Sequence, residues 1–262
     1  PCWIGLGGTA ISIPMSIVGK HFPLSNRTIA MSLVTAVGSF GYFISPMYTS
    51  YSLINNGWIH TLYIFTIFLV IGLVIAFFVR SPSLSESIEK PSDQNTMSAL
   101  KEAFKTKSYV LLTAGFFVCG FHITLVGTHV PTYVIDRGLE TWTAAAILSL
   151  IGLFNIFGSL FSGYLSTKMK KKVILAAIYA LRGISICLFI FLPASNINAF
   201  IFGASFGFLW LSTVPATSGI VAQMFGTKHL GMLYGIVFLS HQIGSFFGSF
   251  LGRFVSRYIW LL

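Results

Sequence analysis

The chain has 262 residues, of which 55% are hydrophobic and only 8% are charged, with a formal net charge of +10. Soluble domains carry about a quarter charged residues, so this chain has too few charges to coat the surface of a soluble protein. The composition excludes soluble enzymes, secreted scaffolds and nucleic-acid-binding modules, and it predicts a membrane protein.

Apolar stretches long enough to cross a bilayer, which takes about 20 residues, follow one another along the sequence. Short polar or turn-rich connections separate them, and this arrangement predicts an all-α bundle of antiparallel helices. Eight spans are predicted, at residues 1–19, 28–50, 58–79, 108–133, 142–165, 173–193, 197–222 and 231–252. The chain begins inside an apolar run and ends as another resumes at Tyr258, so we expect further helices on either side.

One connection differs from the others in length and composition. Residues 81–107 contain Ser, Pro, Asn and Gln together with charges of both signs, which predicts a solvated linker. A short surface helix is predicted within it, from Met97 to Phe104. The linker divides the chain into two groups of helices, at residues 1–80 and 108–262.

The basic residues predict the orientation, because cytoplasmic loops of membrane proteins are rich in Lys and Arg. If the spans alternate in direction, one side receives only Arg137, Arg253 and Arg257. The other side collects Lys20, Arg27, Arg80, Lys90, Lys101, Lys105, Lys107, Lys168, Lys170, Lys171, Lys172 and Lys228. We therefore expect the linker in the cytoplasm, and the basic net charge needs no nucleic-acid partner.

Arg182 is the one charged residue inside a predicted span. A charge at the bilayer centre costs about 2.5–3.5 kcal/mol even on the lenient insertion scale, so this guanidinium needs compensation. Two interpretations stay open. Arg182 either forms an anion site or is a structural residue that binds backbone carbonyls or Tyr179, one turn back.

Three histidines lie inside the predicted spans that follow the linker. His122 and His129 are seven residues apart and therefore share one helix face. His241 lies in the middle of the last span with Gln242 beside it. We expect a functional role for His122 and His241 and a hydrogen-bonded structural role for His129. No third ligand at metal spacing accompanies them, so we expect no metal site.

Uncharged polar and small residues also align on single helix faces, which should turn inward in a lipid environment. We expect the face of Asn155, Ser159 and Ser162 to join helices. We expect the face that contains Trp210 and Thr213 to line a cavity. The polar sets are Thr35, Ser39 and Tyr42, then Asn155, Ser159 and Ser162, then Trp210, Thr213 and Thr217. A ridge of Gly244, Gly248 and Gly252 predicts close packing of helices within the bundle.

The first and last pairs of spans repeat one another. A proline-bearing helix, a basic loop and a glycine-containing helix occur in the same orientation on both sides of the linker. The equivalent positions are Pro14, Phe22, Gly38, Ser39, Phe40 and Gly41 in the first copy and Pro215, Phe225, Gly244, Ser245, Phe246 and Gly248 in the second. Parallel repeats of this kind are typical of one large class of transporters.

Because of this repeat, the chain resembles the major facilitator superfamily. The stretch Gly163-Tyr-Leu-Ser-Thr-Lys-Met-Lys-Lys-Lys172 is similar to the family loop Gly-x-Leu-x-Asp-Arg-x-Gly-Arg-Arg, although Thr167 stands in place of Asp and Lys170 in place of Gly. The resemblance implies two six-helix halves, of which the eight spans are helices 4 to 11, with helices 1 to 3 and 12 absent. It also implies a cytoplasmic gate at Gly163, Lys168, Lys170, Lys171 and Lys172.

Two passages resemble the bacterial monocarboxylate-transporter and oxalate/formate-antiporter branch of that superfamily. The first runs from Gly115 through His122 to Pro131, and the second runs from Trp210 through Thr217 to Gly244. The resemblance implies a monomer in a bacterial inner membrane that carries a small carboxylate together with H⁺ or in exchange for a counter-anion.

The charges of the spans favour the same substrate class. None of the six acidic residues falls inside a predicted span, so a cationic substrate would find no carboxylate partner there. We therefore expect transport of a small organic anion, with no cofactor. The predicted substrate-binding residues are His122, Arg182, Trp210, Thr213, His241 and Gln242.

Other functions stay open at this point. The same fold could export a drug or a sugar-like solute, or it could act as a receptor that does not transport. An intramembrane enzyme is the weakest alternative, because the spans contain no Ser-His-Asp set, no HExxH motif and no paired carboxylates.

Overall fold

The computed structural model describes residues 12–23, 26–78 and 95–259. Residues 1–11 of the first predicted span, Arg80, and linker residues 81–94 with Lys90 lie outside the described residues. The described helices are α1 (Ser12–His21), α2 (Arg27–Phe78), α3 (Thr96–Lys105), α4 (Lys107–Asp136), α5 (Thr141–Lys168), α6 (Lys171–Phe191), α7 (Asn196–Leu209), α8 (Thr213–Phe225) and α9 (Leu230–Ile259). The predicted all-α membrane fold is confirmed.

Six helical stretches within the described ranges are long and apolar enough to cross a membrane. The predicted surface helix is also present as α3, which buries Ala99 and Ala103. The most N-terminal of the six stretches, Arg27–Ile75, has 49 residues, more than twice the ~20 that one crossing requires.

Gly57 divides α2 into two antiparallel arms. Its backbone has φ 77° and ψ 174°, a conformation that is nearly restricted to glycine. The Thr61 hydroxyl donates to the Ser52 hydroxyl at 2.8 Å, and the rings of Tyr48 and Phe65 lie 6.2 Å apart. A straight helix rises about 1.5 Å per residue and would keep these pairs far apart, so the chain reverses at Gly57 and makes the two predicted spans.

The predicted span 197–222 is confirmed as the apolar stretch Asn196–Phe225, and its helix is interrupted within that stretch. α7 ends and α8 begins on either side of residues 210–212. Pro215 lacks the N–H that would bind the carbonyl of Leu211 in a regular helix. Instead, the N–H of Val214 donates to that carbonyl at 2.9 Å, in a tighter turn.

Glycines allow α4 and α9 to pack with their backbones in contact. A Cβ at Gly244 would lie 2.8 Å from the carbonyl carbon of Phe117, and one at Gly248 would lie 3.1 Å from that of Phe121. A Cβ at Gly252 would overlap the ring of His129. The predicted packing ridge is therefore confirmed.

Two buried apolar clusters occupy opposite ends of the bundle. One contains Tyr109 and Phe116 near the Lys107 end of α4, and the other contains Val126 and Val130 near its Asp136 end. Buried polar residues near the middle of the helices include Asn155 on α5, Arg182 on α6 and His241 on α9. The bundle therefore encloses a polar layer midway along its helices.

Candidate functional site

The break at residues 210–212 is the centre of the candidate site. The guanidinium of Arg182 reaches it from α6, with Nε 3.0 Å and Nη2 2.6 Å from the carbonyl oxygen of Leu209. Nη2 also donates to the carbonyl of Trp210. A helix that ends inside a membrane leaves unpaired carbonyls, and here Arg182 satisfies them.

Side chains of α5 satisfy the other side of the same break. The backbone N–H of Leu211 donates to Oδ1 of Asn155 at 2.7 Å, and the Ser162 hydroxyl donates to the carbonyl of Ser212 at 2.6 Å. Nδ2 of Asn155 donates to the Ser39 hydroxyl on α2 at 2.6 Å. Asn155 and Ser162 therefore join helices, as predicted for their face of α5.

Arg182 makes three further contacts inside the protein. Its Nη1 donates to Sγ of Cys119 at 3.1 Å, and its Nη2 lies 3.5 Å from Oγ1 of Thr213. Its guanidinium carbon lies 5.6 Å from the ring centre of Tyr179. Arg182 is fully buried, and it has no carboxylate partner among the described residues.

His241 lies next to this cluster. Its ring stacks on Phe238 at 5.3 Å and contacts Phe116 at 5.1 Å, and it lies beside the sulfur of Cys119. Both ring nitrogens are buried and make no hydrogen bond to the part of the chain that the structure describes. Buried polar atoms are usually paired, so these nitrogens are available to a ligand, water or a proton.

Two more polar side chains near the cluster have a buried atom without a hydrogen-bond partner in the described ranges: Nδ1 of His122 and Oγ1 of Thr217. His122 is half-buried and lies within electrostatic range of Arg182. His129 differs from them, because its Nε2–H donates to the carbonyl of Ser249 at 3.0 Å. The geometry thus gives His129 the structural contact that the sequence analysis predicted.

The indole of Trp210 closes the site on the side of α2. Its ring centre lies 5.7 Å from that of Tyr42, and both side chains pass over Gly127 of α4. Gln242 is half-buried on α9 beside His241, and no described contact joins it to the cluster. The structure therefore brings together Arg182 and the predicted residues around it, and leaves Gln242 at the margin.

The predicted gate lies at the Lys168 end of α5. A Cβ at Gly163 would lie 2.6 Å from Cβ of Ser32, so α2 and α5 touch there. A Cβ at Gly219 would lie 2.9 Å from both Cε of Lys171 and Oγ1 of Thr28. Contacts between the segment before the linker and the segment after it therefore close this end of the bundle.

A basic cavity of about 800 Å³ adjoins those contacts. None of its lining residues is acidic. They include Ser108, Ser166, Lys168, Lys170, Lys171, Lys172, Tyr179 and Gln223. Tyr179 also contacts Arg182, so a single side chain separates the basic cavity from the polar cluster.

Sequence reasoning did not single out Cys119 as a site residue, because a lone cysteine in an apolar segment resembles an ordinary core residue. Cys119 precedes His122 by three positions, however, and residues at that spacing share a helix face. That spacing is the signal that could have placed the thiol in the site.

An all-α bundle of apolar helices with a polar layer around a helix break defines the class: an integral, multi-pass membrane protein. The model of the Major Facilitator Superfamily matches residues 3–249. The chain therefore belongs to that superfamily.

Relatives of known or inferred transport function are similar over most of the chain. An uncharacterized MFS-type transporter, YcxA of Bacillus subtilis, is 24% identical over 92% of the chain and 61% of its own length. The cis,cis-muconate transport protein of Acinetobacter baylyi is 23% identical over 92% and 60%, respectively. Monocarboxylate transporter 13 of Rattus norvegicus is 23% identical over 88% of the chain and 53% of its own length. The chain thus spans little more than half the length of these relatives.

Proposed function

We propose that the protein is a secondary active transporter that moves a small organic anion across a bacterial inner membrane by alternating access. The observation that carries this proposal is the buried Arg182, which has no carboxylate partner among the described residues. A buried cation needs an opposite charge. An anionic substrate would supply that charge for part of the transport cycle.

The surroundings of Arg182 favour an anion over a cation. The described acidic residues are Glu102, Asp136 and Glu140, which lie on α3, at the last residue of α4 and at the N-cap of α5. Tyr179 also lines the basic cavity, and all the charged residues that line this cavity are lysines. A cationic substrate would therefore be repelled both by the lysines of this cavity and by Arg182.

We assign the substrate contacts to the predicted residues, with different roles. His122 and His241 offer ring nitrogens for hydrogen bonds, and Thr213 offers a hydroxyl. Trp210 forms an apolar wall for the carbon skeleton of the substrate. Arg182 contributes its positive charge from the wall of the site, because its donors engage Leu209, Trp210 and Cys119. We assign to Gln242 a contact with the substrate at the margin of the site.

Alternating access would be a movement of two groups of helices, at residues 1–80 and 108–262. The contacts of Gly163 with Ser32, and of Gly219 with Thr28, would then open and close at the cytoplasmic end. We assign Lys168, Lys170, Lys171 and Lys172 to this gate and to the attraction of anions from the cytoplasm.

The named relatives support the substrate class. One is a cis,cis-muconate transport protein and another is a monocarboxylate transporter, and both substrates are carboxylates. We therefore propose a monocarboxylate or a small dicarboxylate as the substrate of this protein, with H⁺ or a counter-anion as the coupled ion and a monomer as the working unit.

Counterflow in proteoliposomes tests the proposal. The protein is expressed with whatever sequence flanks residues 1–262 in its gene, and vesicles loaded with unlabelled benzoate, lactate or cis,cis-muconate are diluted into the labelled compound. We expect accumulation of at least one labelled carboxylate and none of labelled choline or glucose. Exchange of choline or glucose without any carboxylate exchange would contradict the proposal.

A further inference from the structure

Arg182 has no carboxylate partner in the described ranges, but a thiol, which is a weaker acid, lies within hydrogen-bond distance of it. Sγ of Cys119 lies 3.1 Å from Nη1 of Arg182 and 3.3 Å from Oγ1 of Thr213. The guanidinium can only donate, and the Thr213 hydroxyl is free to donate as well. Two donors therefore converge on one buried sulfur, which is the environment of a thiolate.

A second, independent observation points to the same place. His241 lies beside Sγ of Cys119 and is only 6% exposed, yet neither of its ring nitrogens has a hydrogen-bond partner in the described ranges. An imidazole can take a proton at one nitrogen and pass one from the other. An unpaired imidazole beside a sulfur that accepts a hydrogen bond from Arg182 is well placed to exchange a proton with that sulfur.

Other titratable groups face this sulfur from each neighbouring helix. Tyr179 comes from α6 and Tyr234 from α9, residues 210–213 contribute none, and His122 on α4 interacts with Arg182. None of these groups is a carboxylate. Among the described residues, the thiol of Cys119 is therefore the acidic group closest to the guanidinium.

We propose that Cys119 is held as a thiolate, that it is the counter-anion of Arg182, and that with His241 it forms a proton-binding site in the polar layer. His241 takes a proton from a hydronium ion, so that an O–H bond breaks, an N–H bond forms and water is left. His241 then passes a proton to Sγ, so that an N–H bond breaks, an S–H bond forms and nothing is oxidised or reduced. The positive charge of Arg182 is then unbalanced and attracts an anion. The link to anion movement rests on the proposed function, but the thiolate itself does not.

Infrared spectroscopy of the purified protein tests the thiolate directly, because only a protonated thiol has an S–H stretching band. Cys187, which is exposed on α6, is the matched control. At neutral pH, the difference between the wild-type and Cys187→Ala spectra should contain one S–H band, and the difference between the wild-type and Cys119→Ala spectra should contain none. An S–H band of equal size in both differences would overturn the proposal.

Removal of the cation provides the second comparison. In an Arg182→Gln protein the S–H band of Cys119 should appear, whereas in Arg182→Lys, which keeps the charge, it should stay absent. If Arg182→Gln does not fold, acidification of the wild-type protein replaces it, and the band should then appear reversibly. A Cys119 band that is already present in wild type, or that never appears on acidification, contradicts the proposed proton site.

A transport assay distinguishes failure of the proton-binding role from failure of the proposed function. Uptake of a labelled carboxylate driven by a pH gradient should be lost in Cys119→Ala and Cys119→Ser and kept in Cys187→Ala. Proton-driven uptake that persists in both Cys119 variants would overturn the proton-binding role. If wild type carries no carboxylate, the proposed function fails while the infrared result still decides the state of Cys119.

Discussion

Asn155 and Leu211 are joined by a hydrogen bond of 2.7 Å from the backbone N–H of Leu211 to the side-chain oxygen of Asn155. This bond satisfies the amide side of the helix break, while Arg182 satisfies the carbonyl side. Asn155 also binds Ser39 on α2. A single amide group thus connects the break to the segment that precedes the linker.

Replacement of Asn155 should therefore destabilise the protein. Asn155→Leu keeps the approximate volume but leaves the Leu211 N–H and the Ser39 hydroxyl without this partner. A buried donor left unpaired costs about 1–3 kcal/mol, so we expect a lower free energy of unfolding and a lower Tm in detergent. Ser149→Ala is the control on the same helix, since the Ser149 hydroxyl is buried without a partner in the described ranges, and its loss should not lower Tm. Equal Tm values for the two variants would refute this role.

The contact between α4 and α9 should tolerate no side chain at Gly244. A Cβ there meets the backbone of Phe117 and lies 3.1 Å from the amide nitrogen of Phe121, so Gly244→Ala must push the helices apart. Overpacking of this kind costs about 1–3 kcal/mol. At Gly235, also on α9, a Cβ meets nothing within 4 Å. Gly235→Ala should keep or raise Tm, since alanine favours helix, and a fall as large as that of Gly244→Ala would be inconsistent with the packing.

Gly57 should be required for the reversal of α2. A Cβ at Gly57 has nothing within 4 Å, so Gly57→Ala tests the backbone conformation alone. The positive φ of 77° is unfavourable for alanine, and such strain costs about 1–3 kcal/mol. Gly72→Ala in the second arm has the same free space without the positive φ and serves as the control. Thermal unfolding of both variants makes the comparison, and a stable Gly57→Ala protein would argue against the reversal.

Orientation in the membrane can be tested at the two ends of α5. Glu140 and Thr167 are both exposed, and the basic loop that follows Lys168 predicts that its end faces the cytoplasm. With Cys2 and Cys187 changed to Ser, an impermeant thiol reagent should label Glu140→Cys on intact cells. It should label Thr167→Cys only after the cells are permeabilised. The reverse pattern would invert the predicted topology.

Most of the fold could be predicted from patterns of residues that are close in sequence. Length and hydropathy predicted the spans, and the spacing of Gly244, Gly248 and Gly252 predicted a packed helix face, because each of these features depends on residues close in sequence. Hydropathy predicted the span 197–222 but not the position of the break at residues 210–212. It depends on Arg182 and Asn155, which lie far away in the chain and satisfy its backbone only after folding.

The site was predictable only in part for the same reason. An Arg inside an apolar span signals that a partner must exist, but the span does not say which partner. The structure gives Arg182 both backbone carbonyls and the sulfur of Cys119. His122 and His241 were predicted as site residues because they are polar residues in apolar helices. Cys119 was not, because a cysteine in an apolar helix resembles an ordinary core residue.

The most direct test of an anion site at the helix break is the KM for carboxylate counterflow in variants of the polar side chains that we assign to the substrate. His122→Gln and Thr213→Val should each raise KM about tenfold, which corresponds to ~1.4 kcal/mol, the loss of one hydrogen bond to a charged group. His60→Gln, at an exposed position on the second arm of α2, should leave KM unchanged. If His122→Gln and Thr213→Val both keep the wild-type KM, the anion does not bind at this site.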